Sequence, residues 1–291
     1  YMSNTPNPLS EYFRSPKLFV KLPTGGMFYD KDIVEYPESG ELPVFPMTAK
    51  DEVMMKNPDA LLNGEAVCSL ISSCVPNVKN PRLMISNDID TLLIAIQGAT
   101  NGDDIEVSAE CPSCNESVTG IASAEGALET MSVLEESYKV TTEQGLTIEV
   151  KPLKYENTIK AGITSFQTAR SLQAMAELPD DIDKLKIFNE SFMKMSDMNY
   201  QLILDAVHSI TIGKGKDKQS ITDKGHIKEF LDNCESEIGK SVEQAVADLN
   251  KIGIQKSMQF ECDKESCMKD DCPKQFEAAV AFDPVNFFTA S

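Results

Sequence analysis

Apolar and polar positions along this chain recur with two different periods, and the changes of period mark out its elements. Leu18 to Pro23 is a short extended run that ends in Thr24-Gly25-Gly26, a turn suited to glycine's access to positive φ. Gly40 to Met47 predicts a second short strand, interrupted by Pro43 and Pro46. Thr48-Ala49-Lys50-Asp51 is a helix start: the threonine caps the first turn, and the acid three residues on lies near the positive helix end. Asn57-Pro58 is expected to stop that helix. Val67, Leu70, Ile71 and Cys74 then fall on one face of a second helix. Pro76 and Pro81 bound the next loop. Asn87-Asp88 is expected to cap a third helix, with Ile89, Leu92, Leu93 and Ile96 on one face and Asn101-Gly102 at its end. From Ile105 to Ala109 the period drops to two, and Val118 to Ile121 returns as a partner strand. Tyr138–Val140 and Leu146–Val150 pair as a hairpin around Glu143-Gln144-Gly145.

After Pro152 the helical period takes over. One stripe holds Ile159, Ile163, Phe166, Ala169, Leu172 and Ala176, and a second holds Ile182, Leu185, Phe188, Phe192 and Met195. Ile203, Ala206, Val207 and Ile210 predict a third helix, followed by a flexible Gly/Lys loop from Gly213 to Gln219. Two more helices carry Ile227, Phe230, Leu231 and Cys234, then Ile238, Val242, Ala245, Val246, Leu249 and Ile252. Met258–Glu261 and Phe276–Phe282 return to strand, and Asn286-Phe287-Phe288 closes the chain. The fold class is therefore α+β: a small β-ribbon metal-binding module with a helical-bundle insertion, an N-terminal arm and short strands. The expected divisions are an extended arm (1–16), an α+β region with the first knuckle (17–152), the helical insertion (153–254) and a second knuckle (255–291). The arm carries Pro6, Pro8 and Pro16, which disfavour helix. Its Leu9, Tyr12 and Phe13 are too few for a core but suit docking, so it is expected to order only against a neighbour.

The candidate chemistry lies in the cysteines. Cys111-Pro112-Ser113-Cys114 is a knuckle between two strands, and Cys262, Cys267 and Cys272 follow the strand near the C-terminus. Two such clusters are most simply the halves of one site. Four thiolates around a closed tetrahedral ion suit structural zinc, which leaves no open position for chemistry. An iron–sulfur cluster also takes four cysteines and is the lesser alternative. One thiol is surplus. Cys111, Cys114, Cys262 and Cys272 are favoured as ligands, because Cys272 is followed by a proline as Cys111 is. Cys267 remains the alternative fourth ligand. The plainer reading is five surface thiols and no metal. Cys68, Cys74 and Cys234 have apolar neighbours at helical spacing and read as small core residues.

Composition narrows the function further. The chain has 291 residues, 27 basic and 46 acidic, for a net charge of -19. That charge repels phosphate, so nucleic acid is not an expected ligand. No apolar run reaches the roughly 20 residues needed to span a bilayer, and no signal peptide is expected. The cysteine pattern suits a reducing compartment. His208 and His226 belong to no nucleophile–base pattern, and Gly213-Lys214-Gly215-Lys216 lacks the setting of a phosphate loop. Asp103-Asp104 and Asp270-Asp271 read as solvated turns. The expectation is a protein without catalytic activity.

Several of these segments together resemble one family. They are Leu22-Pro23-Thr24-Gly25-Gly26-Met27-Phe28-Tyr29, Phe45-Pro46-Met47-Thr48-Ala49-Lys50-Asp51-Glu52, and Asn63-Gly64 followed by Cys74-Val75. Asp90 to Ile96 with Asn101-Gly102, then Cys111-Pro112-Ser113-Cys114, continue the match, and Phe260-Glu261-Cys262 through Asn286-Phe287-Phe288 extends it. The pattern resembles the baseplate hub subunit and hub assembly proteins of T-even-type contractile-tailed bacteriophages. The second knuckle is longer here than in that pattern. The resemblance implies a structural or assembly role in the virion's tail baseplate after synthesis in the host cytoplasm. It also implies hub and wedge proteins as partners, in multiple copies within a symmetric assembly. The alternative is a cytosolic zinc-ribbon adaptor or assembly chaperone that is not retained in the particle.

Overall fold

The computed structural model describes residues 7–175, 181–213, 218–255, 257–263 and 275–279. Strand β1 (Leu18–Val20) pairs antiparallel with β2 (Leu42–Val44), Leu18 opposite Val44. Helix α1 (Ala49–Met55) begins with the capping box that its sequence predicts, Thr48 and Asp51 serving each other's backbone N–H. Asn57 stops α1 and also starts another helix, α2 (Pro58–Leu62): its Oδ1 accepts from the N–H groups of Asp59 and Ala60. The expectation of a stop alone was incomplete, because proline is also a good first helical residue. Helices α3 (Glu65–Cys74) and α4 (Ser86–Asn101) follow, and their predicted apolar faces are buried. The hairpin β3 (Asp104–Glu110) and β4 (Ser117–Ser123) runs directly into a short, unpredicted helix, α5 (Ala124–Glu129), capped by Ser123.

Beyond it lies a second layer of structure. Strands β5 (Tyr138–Thr141) and β6 (Thr147–Val150) lead into the long helices α6 (Tyr155–Met175) and α7 (Asp181–Ala206). Strands β7 (Val207–Ile212) and β8 (Gln219–Ile221) complete a sheet of order β5-β6-β7-β8. Helices α8 (Lys224–Asn233) and α9 (Ser236–Leu249) cover it. The third predicted helix is thus corrected: Ile203 and Ala206 end α7, whereas Val207 and Ile210 lie in β7. The β-branched run from Val207 to Ile212 finds the edge of β6, Ile148 opposite Ile210, and tertiary pairing overrides helical spacing. Lys224 eases the abrupt change by donating to the carbonyls of Leu204 and Val207 at 2.8 and 2.6 Å. The chain then returns through β9 (Ser257–Glu261) and β10 (Gln275–Ala279), Glu261 opposite Gln275. Ala176, residues 214–217 of the Gly/Lys loop, and Phe282 through Phe288 lie outside the described residues.

Two apolar cores result. The first gathers α3, α4, the β1–β2 and β3–β4 hairpins, and Phe260 and Phe276 from β9–β10. The second lies between the four-stranded sheet and helices α7, α8 and α9, with Ile148, Val207, Ile227 and Val242 at its centre. The sheet of this second core draws two strands from each side of Pro152.

A polar seam joins the cores at the start of α4. Asn87 and Asp88 were expected to cap this helix. Instead it begins at Ser86, and both side chains are buried in its first turn. Asn87 Nδ2 donates to the carbonyls of Leu249 (3.0 Å) and Ile252 (2.6 Å) at the end of α9. Asp88 accepts from the Thr24 N–H and hydroxyl and from the Tyr29 hydroxyl, and Tyr29 Oη in turn accepts from the Ile85 N–H. Alongside, Ser132 and Gly253 hydrogen-bond reciprocally, and the Leu134 N–H reaches the Pro23 carbonyl.

In the described part of the arm, Ser10–Tyr12 forms one turn of 3-10 helix, and Arg14 contacts the body of the chain. The guanidinium donates to the Pro46 carbonyl and to the carbonyl and hydroxyl of Ser73. It lies 3.6 Å from Asp51 and over the Phe45 ring. Residues 1–6 lie outside the described residues.

Gly64 shows how tightly α6 seats on the first core. Its φ is +74°, and a Cβ there would sit 2.4 Å from Ile159 Cδ1. Gly64→Ala therefore combines left-handed strain with a clash, and a loss of about 1–3 kcal/mol is expected. Denaturant unfolding will measure it, and an unchanged midpoint would mean that α6 yields freely.

Candidate metal centre

The knuckle between β3 and β4 is closed by its own backbone. The Cys111 N–H donates to the Glu116 carbonyl at 2.9 Å, and the Asn115 N–H donates to the Cys111 carbonyl at 2.8 Å. Asn115 takes φ +58°, a left-handed conformation that asparagine tolerates better than most residues. This tight turn aims the N–H groups of Ser113 and Cys114 at the Cys111 sulfur. They hold the Cys111 thiol below its ordinary pKa, so its thiolate form is favoured.

The β9–β10 hairpin brings the distant half. Gly120 on β4 leaves the space into which Met258 and Phe260 pack: a Cβ there would meet Met258 Cε at 2.7 Å and Phe260 Cε1 at 3.1 Å. Phe260 stacks on Phe276 with ring centroids 5.7 Å apart. The packed hairpin delivers Cys262 beside the knuckle, its sulfur 3.8 Å from Cys114 Sγ. The sulfurs of Cys111, Cys114 and Cys262 all lie within 4.8 Å of one another. Cys111 and Cys262 are buried and Cys114 is half-buried. Three thiols at this separation could bind a metal ion.

The structure thus brings together three of the five clustered cysteines. Cys267 and Cys272 lie outside the described residues. The scattered cysteines behave differently. Burial pushes the Cys74 thiol up to about 11, helped by the Asp51 carboxylate, and burial also raises Cys68. These thiols stay protonated and pack as apolar groups.

The two histidines fall outside this cluster. His208 lies largely exposed on β7, its pKa lowered by partial desolvation and by Lys151 and Lys224. His226 lies in the first turn of α8, beside its capping Asp223. Asp103, read as solvated, accepts from the Ser123 hydroxyl and the Glu125 N–H, which ties β3 to α5 and holds its carboxyl below the usual range. Sequence reasoning missed Arg14 and the Asp88 cluster, because their partners lie 32–64 residues away along the chain.

A family model described as T4 bacteriophage base plate protein matches residues 30–289. The match takes in every element from α1 to β10 and all five clustered cysteines. No curated protein and no solved structure matches the chain. Among the described residues no helix is long and apolar enough to cross a membrane.

Proposed function

The chain belongs to the T4 bacteriophage base plate protein family, and from that premise we propose that it works at the hub of a contractile tail as a non-catalytic structural or assembly component braced by zinc. Membership places it in the virion tail baseplate, among other baseplate proteins. The observation that carries the finer reading is the convergence of thiols from segments 148 residues apart. A closed thiolate site of this kind stabilises and does not catalyse. The fourth ligand comes from Cys272 or Cys267. Both lie outside the described residues, between Cys262 and Gln275 in the sequence.

On this reading residues 17–152 and 255–291 form the ribbon-bearing body, and residues 153–254 are an insertion that recruits β5 and β6 to its sheet. The arm, residues 1–16, presents Leu9, Tyr12 and Phe13, each more than 60% exposed, to a neighbouring subunit. Large apolar anchors of this kind carry most of the energy in protein interfaces.

Elemental analysis of the purified chain is expected to give one zinc per molecule. A brown sample with visible absorption would replace zinc by an iron–sulfur cluster, and a folded, metal-free chain would sink both. Mass spectrometry of mature particles tests retention: absence from the virion would favour the assembly chaperone.

A further inference from the structure

The α6–α7 hairpin is built inside out. Between Lys160 and Gln201 its two described buried side chains are polar, Thr168 and Ser191, and Thr168 Oγ1 has no hydrogen-bond partner there. Four of the five residues of the apolar stripe of α7 face outward, Ile182 76% exposed, Leu185 61%, Phe188 51% and Phe192 64%, and Met195 is half-buried. Met193 and, on α6, Phe166 are also more than half exposed. The stripe signal that marks the core face of α3 and α4 here marks a surface.

We propose that this face is a self-association surface, on which the α7 stripe packs antiparallel against the same stripe of a second copy of the chain. Three observations commit it to that occupant. First, Leu185, Phe188, Phe192 and Met195 are spaced 3, 4 and 3 residues apart, the seam of a two-stranded coiled coil. An antiparallel pairing sets Leu185 against Met195 of the second copy and Phe188 against Phe192, so the patch is complementary to itself, as a two-fold interface requires. Second, the open flank of the seam, Ile182, Asn189 and Ser196, carries no charge, whereas the other flank, Lys184, Ser191 and Met198, is buried or half-buried in the chain itself. Across α6 and α7 five basic residues face six acidic ones, one net negative charge in a chain of -19. Two copies meeting anywhere more acidic would repel; here they do not. Third, the area suffices. With about 200 Å² for a large apolar side chain, the six exposed residues leave roughly 700 Å² per copy, or about 1,400 Å² for a pair, within the range of specific interfaces. A monomer rarely leaves that much apolar surface uncovered.

This inference is independent of the metal reading, and a zinc content of zero would leave it standing. Sedimentation equilibrium of the full chain at micromolar concentration is expected to return twice the chain mass. Phe188→Glu together with Phe192→Glu should return the single-chain mass with unchanged circular dichroism, because both side chains are exposed in one copy. Phe19→Glu, exposed on β1, should leave the double mass intact. A wild-type chain that is monomeric throughout overturns the proposal, even if the hairpin captures a different baseplate protein. So does a double variant that still dimerises.

Discussion

Replacing Cys111 by serine is expected to lower stability by several kcal/mol and to loosen the β9–β10 hairpin before the rest of the first core. Structural zinc contributes about 10–16 kcal/mol of binding free energy in small zinc peptides, and that energy is folding energy. A serine hydroxyl at neutral pH does not replace the thiolate. Here the ion would join β3–β4 to a hairpin that follows the whole second core in sequence. Without it β9–β10 keeps the Phe260–Phe276 stack and the Met258 contact with Gly120, but loses its cross-link. Thermal melts and hydrogen exchange across residues 257–263 measure both effects. Chelation should produce the same loss in the wild type and nothing further in the variant, since both remove one interaction. Cys68→Ser, half-buried outside the cluster, should change little. Melts that chelation leaves untouched would remove zinc from the account.

The second large effect belongs to Asp88. Three donors converge on this buried carboxylate, from Thr24 N–H, Thr24 Oγ1 and Tyr29 Oη. Asp88→Ala strands them in the interior, and each unsatisfied group costs about 1–3 kcal/mol, so a total near 3–5 kcal/mol is expected. The same carboxyl gives the protein a pH signature. Burial raises its pKa from the ordinary 3.8 to about 6, against the lowering effect of its donors. Between those values the folded chain holds a proton that the unfolded chain has released. The group's stabilising contribution is therefore full below about pH 4 and is lost as pH rises through 6, a swing of about 3 kcal/mol. Tyr29, raised by its own burial and by the Asp88 charge, stays protonated throughout and keeps donating. Asp88→Asn should flatten stability across that window while preserving most of the fold. A variant with the wild-type pH profile would show that other carboxylates set it.

How far the sequence predicts this molecule depends on how local the signal is. Thr48 with Asp51, the glycine end of α4 and the β3–β4 knuckle were legible because each is decided within a few residues. The cysteine pairing was legible across 148 residues because thiols have few other reasons to cluster. Apolar periodicity was less decisive. It placed Val67, Leu70 and Ile71 correctly in a core, yet the equally regular stripe on α7 lies outside one. A period shows that one face is apolar; it does not show what covers that face. Val207 and Ile210 fit helix and strand spacing alike, and only the open edge of β6 decides between them. Asn87 and Asp88 looked like a cap because cap residues are also good buried acceptors and donors, and their partners arrive from Thr24, Tyr29, Leu249 and Ile252.

Ser132 and Gly253 stand side by side where the chain enters and leaves the second core, joined by 2.9 Å hydrogen bonds in both directions. Everything threaded between them is a loop whose ends the rest of the molecule already holds shut. The entropy of closing such a loop grows only with the logarithm of its length, about 0.6 kcal/mol for each doubling. Away from the contacts that α6 and the end of α9 make with the first core, the 120 residues between that pair can thus lengthen or shorten at little entropic cost. A chain joined in this way can change what it presents to its neighbours without altering how it holds itself together.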